Sequence, residues 1–137
     1  GKAIANQARN IVSMGSNSIM LDLAGGEPKK IRAETVFRAA AMGDVLAEKI
    51  ADEAVINLCI GLTNLVFLFD CQRIVLTGYV VKDNSYLLEK ISQRVNSTRS
   101  LYFGDVPVEV CLSELGEEAA VIGAATLPLQ NFVINSK

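Results

Sequence analysis

Histidine and tryptophan are both absent from these 137 residues, and proline and cysteine occur three times each. Without histidine there is no Ser-His-Asp or Cys-His catalysis, no two-histidine zinc motif and no imidazole proton shuttle near neutral pH. Positive charge is also short, with 13 Lys and Arg against 15 Asp and Glu, a net charge of −2. That balance gives no electrostatic footprint for a phosphate backbone, so this segment is not expected to touch DNA itself. The cysteines, Cys59, Cys71 and Cys111, match no metal-knuckle spacing, and an odd number within largely apolar surroundings reads as reduced thiols of a cytoplasmic protein. The first ten residues, GKAIANQARN, carry no apolar targeting stretch.

What the chain does have is apolar content: 50% hydrophobic residues, 20% charged and a mean hydropathy of +0.32. A chain of this size with that composition buries roughly two thirds of its unfolded surface and folds as one unit, residues 1–137. Residues 1–43 read as N-terminal helices and residues 44–137 as an α/β core. Ile4, Ala8, Ile11 and Val12 share one helical face; Ile19 to Leu23 is apolar but of open state between glycine breaks. Glu34 to Met42 is again helical, with Val36, Phe37, Ala40 and Ala41 as its core side, and Gly43 closes it. Asp44 then caps a helix of about 26 residues. Leu46, Ile50, Ala54 and Ile56 to Leu58 are expected to face inward. The half from Leu58 to Phe69 is apolar nearly all round and must be covered on several sides. Its most apolar window, Ala54 to Phe69, falls short of the ~18–20 residues that span a bilayer, so a buried core helix is expected and no membrane contact.

Arg73 to Gly78 is a β-branched run stopped by glycine, the pattern of a strand buried on both faces. Asp83 to about Thr98 is a helix capped by Asn84 or Ser85, Val106 to Leu112 a second strand that starts near Pro107 or lies at an edge, and Gly116 to Ala125 a last helix. Helix, strand, helix, strand, helix implies parallel strands joined by right-handed crossovers, hence α/β. Two strands alone are not independently stable, which places further strands upstream.

Three segments carry a resemblance: Ala40-Ala41-Met42-Gly43-Asp44 with Ala47; Asn64-Leu65-Val66, Leu68 and Asp70 running into Ile74-Val75-Leu76-Thr77-Gly78; and Leu115-Gly116-Glu117-Glu118-Ala119 through Ala125. In order and spacing they resemble the ROK family of bacterial sugar kinases, sugar-responsive repressors and related proteins. The resemblance implies the C-terminal part of an actin-like ATPase, or ribonuclease H-like, lobe whose three antiparallel strands precede Gly1. It also implies that the catalytic aspartate, the phosphate loops, the sugar clamp and the zinc motif lie upstream. The site retained is the turn Thr77-Gly78-Tyr79, which matches the adenosine-side diglycine of ATP-using members. Tyr79 replaces its second small residue, which argues against nucleotide binding, and the plainer reading has Gly78 simply turning the chain out of the strand.

On that basis the leading expectation is non-enzymatic: the regulatory and dimerisation part of a sugar-responsive transcriptional repressor, with no catalytic residue, metal or cofactor of its own. Its implied partners are a second copy, a sugar effector in the full-length protein, and operator DNA only through an N-terminal domain outside this sequence. The alternative is the C-terminal half of an ATP-dependent, glucokinase-like sugar kinase. Three further features read as structural. Glu117 and Glu118 complement a helix dipole, Lys29-Lys30 and Arg32 form a solvated loop, and Asn64, if buried, bonds a neighbouring loop.

Overall fold

The longest apolar run lays down the central element. The computed structural model describes residues 1–78, 80–82, 84–115, 118, 121–124 and 126. Along the chain lie α1 (Lys2–Ser13), α2 (Ile19–Leu23), a 3₁₀ turn (Pro28–Lys30), α3 (Ala33–Ala41), α4 (Val45–Phe69), β1 (Arg73–Leu76), α5 (Ser85–Phe103) and β2 (Glu109–Leu112). The expected order of elements is observed. The last expected helix, from Gly116, lies for the most part outside the described residues.

At its start, α4 is fixed by Asp44, whose Oδ1 accepts from the Ala47 amide at 2.8 Å. Gly43 just before it sits at φ 85°, a left-handed conformation in which a Cβ would be strained. The Asp44 carboxylate serves two helices, because its Oδ2 accepts from the Ile19 amide at 2.8 Å and from Ser18 Oγ at 2.9 Å. Ser18 Oγ in turn accepts from the Met20 amide at 3.1 Å and caps α2. A single side chain therefore ties the first turn of α2 to that of α4. Burial raises the Asp44 pKa, but the bonds from Ala47, Ile19 and Ser18 outweigh it and hold the carboxyl below its ordinary 3.8.

One continuous cluster of buried side chains runs from Ala8 of α1 through Val36 and Phe37 of α3, the inner face of α4, and Leu87, Ile91 and Val95 of α5 to Val108. The face that α4 buries comprises Ala47, Ile50, Ala51, Val55, Cys59, Leu62, Thr63 and Val66. This corrects the inward set expected from sequence. Ile50 is inside, but Ile56 and Leu58 are exposed, because a helix turns about 100° per residue and a small error in register moves a side chain off the seam. Asn64 is exposed too, so it owes no bond to a neighbouring loop. α4 packs mainly on α3 and α5. By length and composition it is, among the described residues, the helix that could cross a membrane, and 22% of its most apolar window is buried. The core-helix expectation thus holds for one side of α4 only.

Among the described residues the sheet has two strands, β1 and β2, paired in parallel with Arg73 opposite Glu109 and Leu76 opposite Leu112. α5 is the crossover between them. Its 19 residues outrun the expected end near Thr98, and Gly104 at φ 77° follows it. Asn96 of α5 pairs with the backbone of Val108 like a strand: its Oδ1 accepts from the Val108 amide at 2.7 Å and its Nδ2 donates to the Val108 carbonyl at 3.0 Å. That contact aims the chain into β2, which begins two residues after Pro107. β1 departs from the expectation of burial on both faces. Ile74 and Leu76 are half-buried while Arg73 and Val75 are exposed. All three cysteines are free, Cys59 buried and the other two half-buried.

Candidate functional site

In a parallel sheet the strand ends its run pointing all its carboxyl ends at one rim, and ligands gather at that rim where the chain turns from strand to helix. Here the rim is the connection from β1 to α5. After Leu76 come Thr77, exposed, and Gly78 at φ 114°. A Cβ at Gly78 would meet no atom within 4 Å, so the demand for glycine comes from the backbone angle and not from crowding. The Gly78 carbonyl accepts from the amides of Val81, at 3.3 Å, and Lys82, at 3.2 Å. Asn84 then closes the turn from both sides, its Nδ2 donating to the Val80 carbonyl at 3.1 Å and its Oδ1 accepting from the Leu87 amide at 3.0 Å. The loop is thus held as a compact turn leading directly into the capped start of α5.

This turn faces a cleft of about 290 Å³ whose other wall is α3. Glu34, Phe37, Arg38 and Ala41 line it from α3; Val80, Lys82, Asn84, Ser85 and Tyr86 line it from the connection. The α3 residues are spaced three, four and seven apart, so one helical stripe forms the whole wall. A second cleft of about 470 Å³ shares Glu34 and Val80 and reaches Lys2, Asn6 and Arg9 of α1 together with Arg32. Arg9 is oriented there by donation from its Nε to the Ile31 carbonyl at 2.9 Å. The first cleft combines aromatic and aliphatic walls with two cations and one carboxylate. Such a lining suits a ligand with a flat apolar part and a polar or anionic part.

Of the residues singled out from sequence, Thr77 and Gly78 lie at this rim, and Tyr79 lies outside the described residues. Gly78 does turn the chain out of β1, and the same turn forms one side of the cleft. The α3 wall was missed. Its signal is present in the helical spacing of Glu34, Phe37, Arg38 and Ala41, but of these the sequence reading uses only Phe37 and Ala41, as core, and only the fold shows that the stripe faces the β1–α5 turn. Lys30, from the cluster read as solvated, pairs with Glu27 at 2.6 Å on the surface. Among the described residues no group of acidic, cysteine or histidine side chains is arranged to hold a metal.

A family model described as ROK family matches residues 1–131. Among solved structures the chain is similar to a ROK family glucokinase from Streptomyces griseus in complex with glucose and AMPPNP, with a TM-score of 0.73 and 26% sequence identity. The match covers 92% of this chain and 41% of that one, so the chain spans less than half the length of the glucokinase. No curated protein matches the sequence. The α/β reading and its actin-like lobe are therefore shown. The non-enzymatic expectation is overturned, since the structure that this chain resembles is an enzyme. That expectation rests in part on one bulky residue in a turn, Tyr79, and in part on the long connection from Gly15 to Glu34. A side chain at one turn position alters a contact without changing the lobe that carries the turn.

Proposed function

Because this chain belongs to the ROK family, we propose that it is part of an ATP-dependent sugar kinase of the glucokinase kind and supplies the adenosine side of the nucleotide site. The observation that carries this reading is the likeness, over 92% of the chain, to a glucokinase solved with glucose and AMPPNP. The position of the cleft supports it: a glycine turn at the carboxyl end of a parallel strand, opposite a helix stripe that mixes Phe37 with Arg38 and Glu34. Phosphoryl transfer is catalysed mainly by positioning and by electrostatic stabilisation of the transferring group. In this division of labour the residues of this chain hold the nucleoside, and none of them touches the reacting phosphorus. Phe37, Val80 and Tyr86 give the flat base an apolar seat, while Arg38 and Lys82 favour the anionic end. A soluble, cytoplasmic setting goes with this reading.

Isothermal titration of the chain with AMPPNP tests it. Saturable binding is expected, weakened about tenfold, or roughly 1.4 kcal/mol, by Arg38→Glu, which sets a second carboxylate in the cleft beside Glu34. No binding heat at millimolar nucleotide would overturn the reading.

A further inference from the structure

Of the side chains proposed to seat the base, Phe37 is buried and locked by the core, whereas Tyr86 is only half-buried. Tyr86 stands in the first turn of α5, on the side of the cleft opposite α3. A tyrosine so placed is usually oriented through its hydroxyl. Here that hydroxyl is buried and meets no hydrogen-bonding partner, so it orients nothing. What the ring does meet is a cation. Lys90, one turn further along α5, holds its Nζ 5.3 Å from the ring centroid, inside the range in which an ammonium is drawn to a π face.

Lys90 is fixed in turn from outside its own helix. Its Nζ donates to Asp52 Oδ1 of α4 at 2.8 Å, and that bond holds the Lys90 pKa above its ordinary 10.5, so the ammonium stays charged through neutral and mildly alkaline pH. Both partners are open to water, the lysine side chain 38% exposed and the aspartate 48%. A pair of this kind adds little to the stability of a fold. Its effect is directional instead, because it keeps a long, flexible side chain over one aromatic ring. We infer that Lys90 is a positioning residue for the nucleotide, holding the Tyr86 ring at the cleft while Asp52 holds Lys90 over the ring, a role that rests on the nucleoside reading of this cleft. It ties α4 to the site, although none of the described residues lining the cleft belongs to α4.

Titration with AMPPNP in a double-mutant cycle tests this role. Lys90→Gln, which keeps the stem and removes the charge, should weaken binding about three- to fivefold, the factor that corresponds to a cation–π contact at a partly exposed site. Its melting temperature should fall by no more than about 3 °C. Lys90→Arg, whose guanidinium also stacks on a ring, should bind like wild type, and Asp52→Asn should weaken binding in the same direction as Lys90→Gln. In a Tyr86→Leu background, which leaves an apolar seat and weaker but measurable binding, Lys90→Gln should change nothing, because Lys90 acts through the ring. A loss of the same size there would give Lys90 a direct pull on the anionic ligand and overturn the positioning role. A second readout needs no ligand. The chain has three tyrosines and no tryptophan, so Tyr79→Phe with Tyr102→Phe leaves Tyr86 as the source of the tyrosine band in near-ultraviolet circular dichroism. Lys90→Gln should weaken that band and Lys90→Arg should keep it. A band unchanged in Lys90→Gln overturns the inference alone. A wild-type chain that binds no AMPPNP overturns the nucleotide reading, and the positioning role with it, whatever the band shows.

Discussion

Removing the Asp44 carboxylate should cost more than the loss of one helix cap, because that group closes two helices at once. In Asp44→Ala the Ala47 amide loses its cap, worth about 1 kcal/mol. The Ile19 amide and the Ser18 hydroxyl also lose an ionised acceptor, which contributes about 1.5–3 kcal/mol for such a bond. Asp44 is only half-buried, so water replaces part of this, and the expected loss is about 2–4 kcal/mol. For a chain of this length a kcal/mol corresponds to about 3–4 °C, giving a fall in melting temperature of about 6–16 °C. Asp44→Asn separates the two roles. Its remaining oxygen can still cap α4, but its amide nitrogen meets two donors from α2, so it should recover less than half of the loss. Protonation reaches the same end. A carboxyl whose folded pKa lies below its unfolded value near 3.8 contributes fully above that value, and the contribution is lost as pH falls through the folded pKa. Chemical denaturation of wild type and both variants from pH 7 to pH 2.5 reads this directly. The stability gap between wild type and Asp44→Asn should narrow below about pH 4. A gap under 0.5 kcal/mol for Asp44→Ala, or one that does not change with pH, would refute the reasoning.

Other substitutions probe separate features. Gly78→Ala keeps free space but forces a side chain into φ 114°, and should destabilise by about 1–3 kcal/mol in urea melts, with the cleft disturbed at the same time. Asn96→Ala leaves the buried Val108 amide without its partner and should cost about 1–3 kcal/mol; Asn96→Asp, which keeps the acceptor and loses the donor, should cost less at neutral pH. Arg99 is buried, donates to the Val106 carbonyl and reaches the exposed Asp70 at 3.2 Å, yet its Nε has no partner. Arg99→Met, which keeps the packed stem and removes the buried charge, is therefore expected within about 1 kcal/mol of wild type, and Arg99→Ala at least 2 kcal/mol below it. Burial pushes the Cys59 thiol up, with Arg94 offsetting only part of the rise. Cys59 should resist iodoacetamide in the native protein at pH 8 while Cys71 and Cys111 react, and peptide mass mapping with and without denaturant distinguishes the sites.

Element order was legible in the sequence because each element carries a local signal. Asp44 announces the start of α4, Gly43 marks the end of α3, Asn84 caps α5, and the β-branched run at Ile74 and Val75 marks a strand, whereas the end of α5 at Phe103 lies beyond the expected Thr98. The glycine turn after β1 was found the same way, since Gly78 stands where a strand stops. Burial was less legible. An α4 that is apolar on nearly every side gives periodicity nothing to choose between, so Ile56 and Leu58 were assigned inward although Val55 and Cys59 fill those places.

The residues of this protein therefore determined where helices and strands form, and through three motifs which family they belong to. Which side of α4 is covered was decided by the packing of α3 and α5, and the cleft exists only because α3 is brought beside the β1–α5 turn, some forty residues further along the chain. Caps and breakers act through bonds within a few residues, whereas a cleft wall is a relation between distant segments that no local preference encodes.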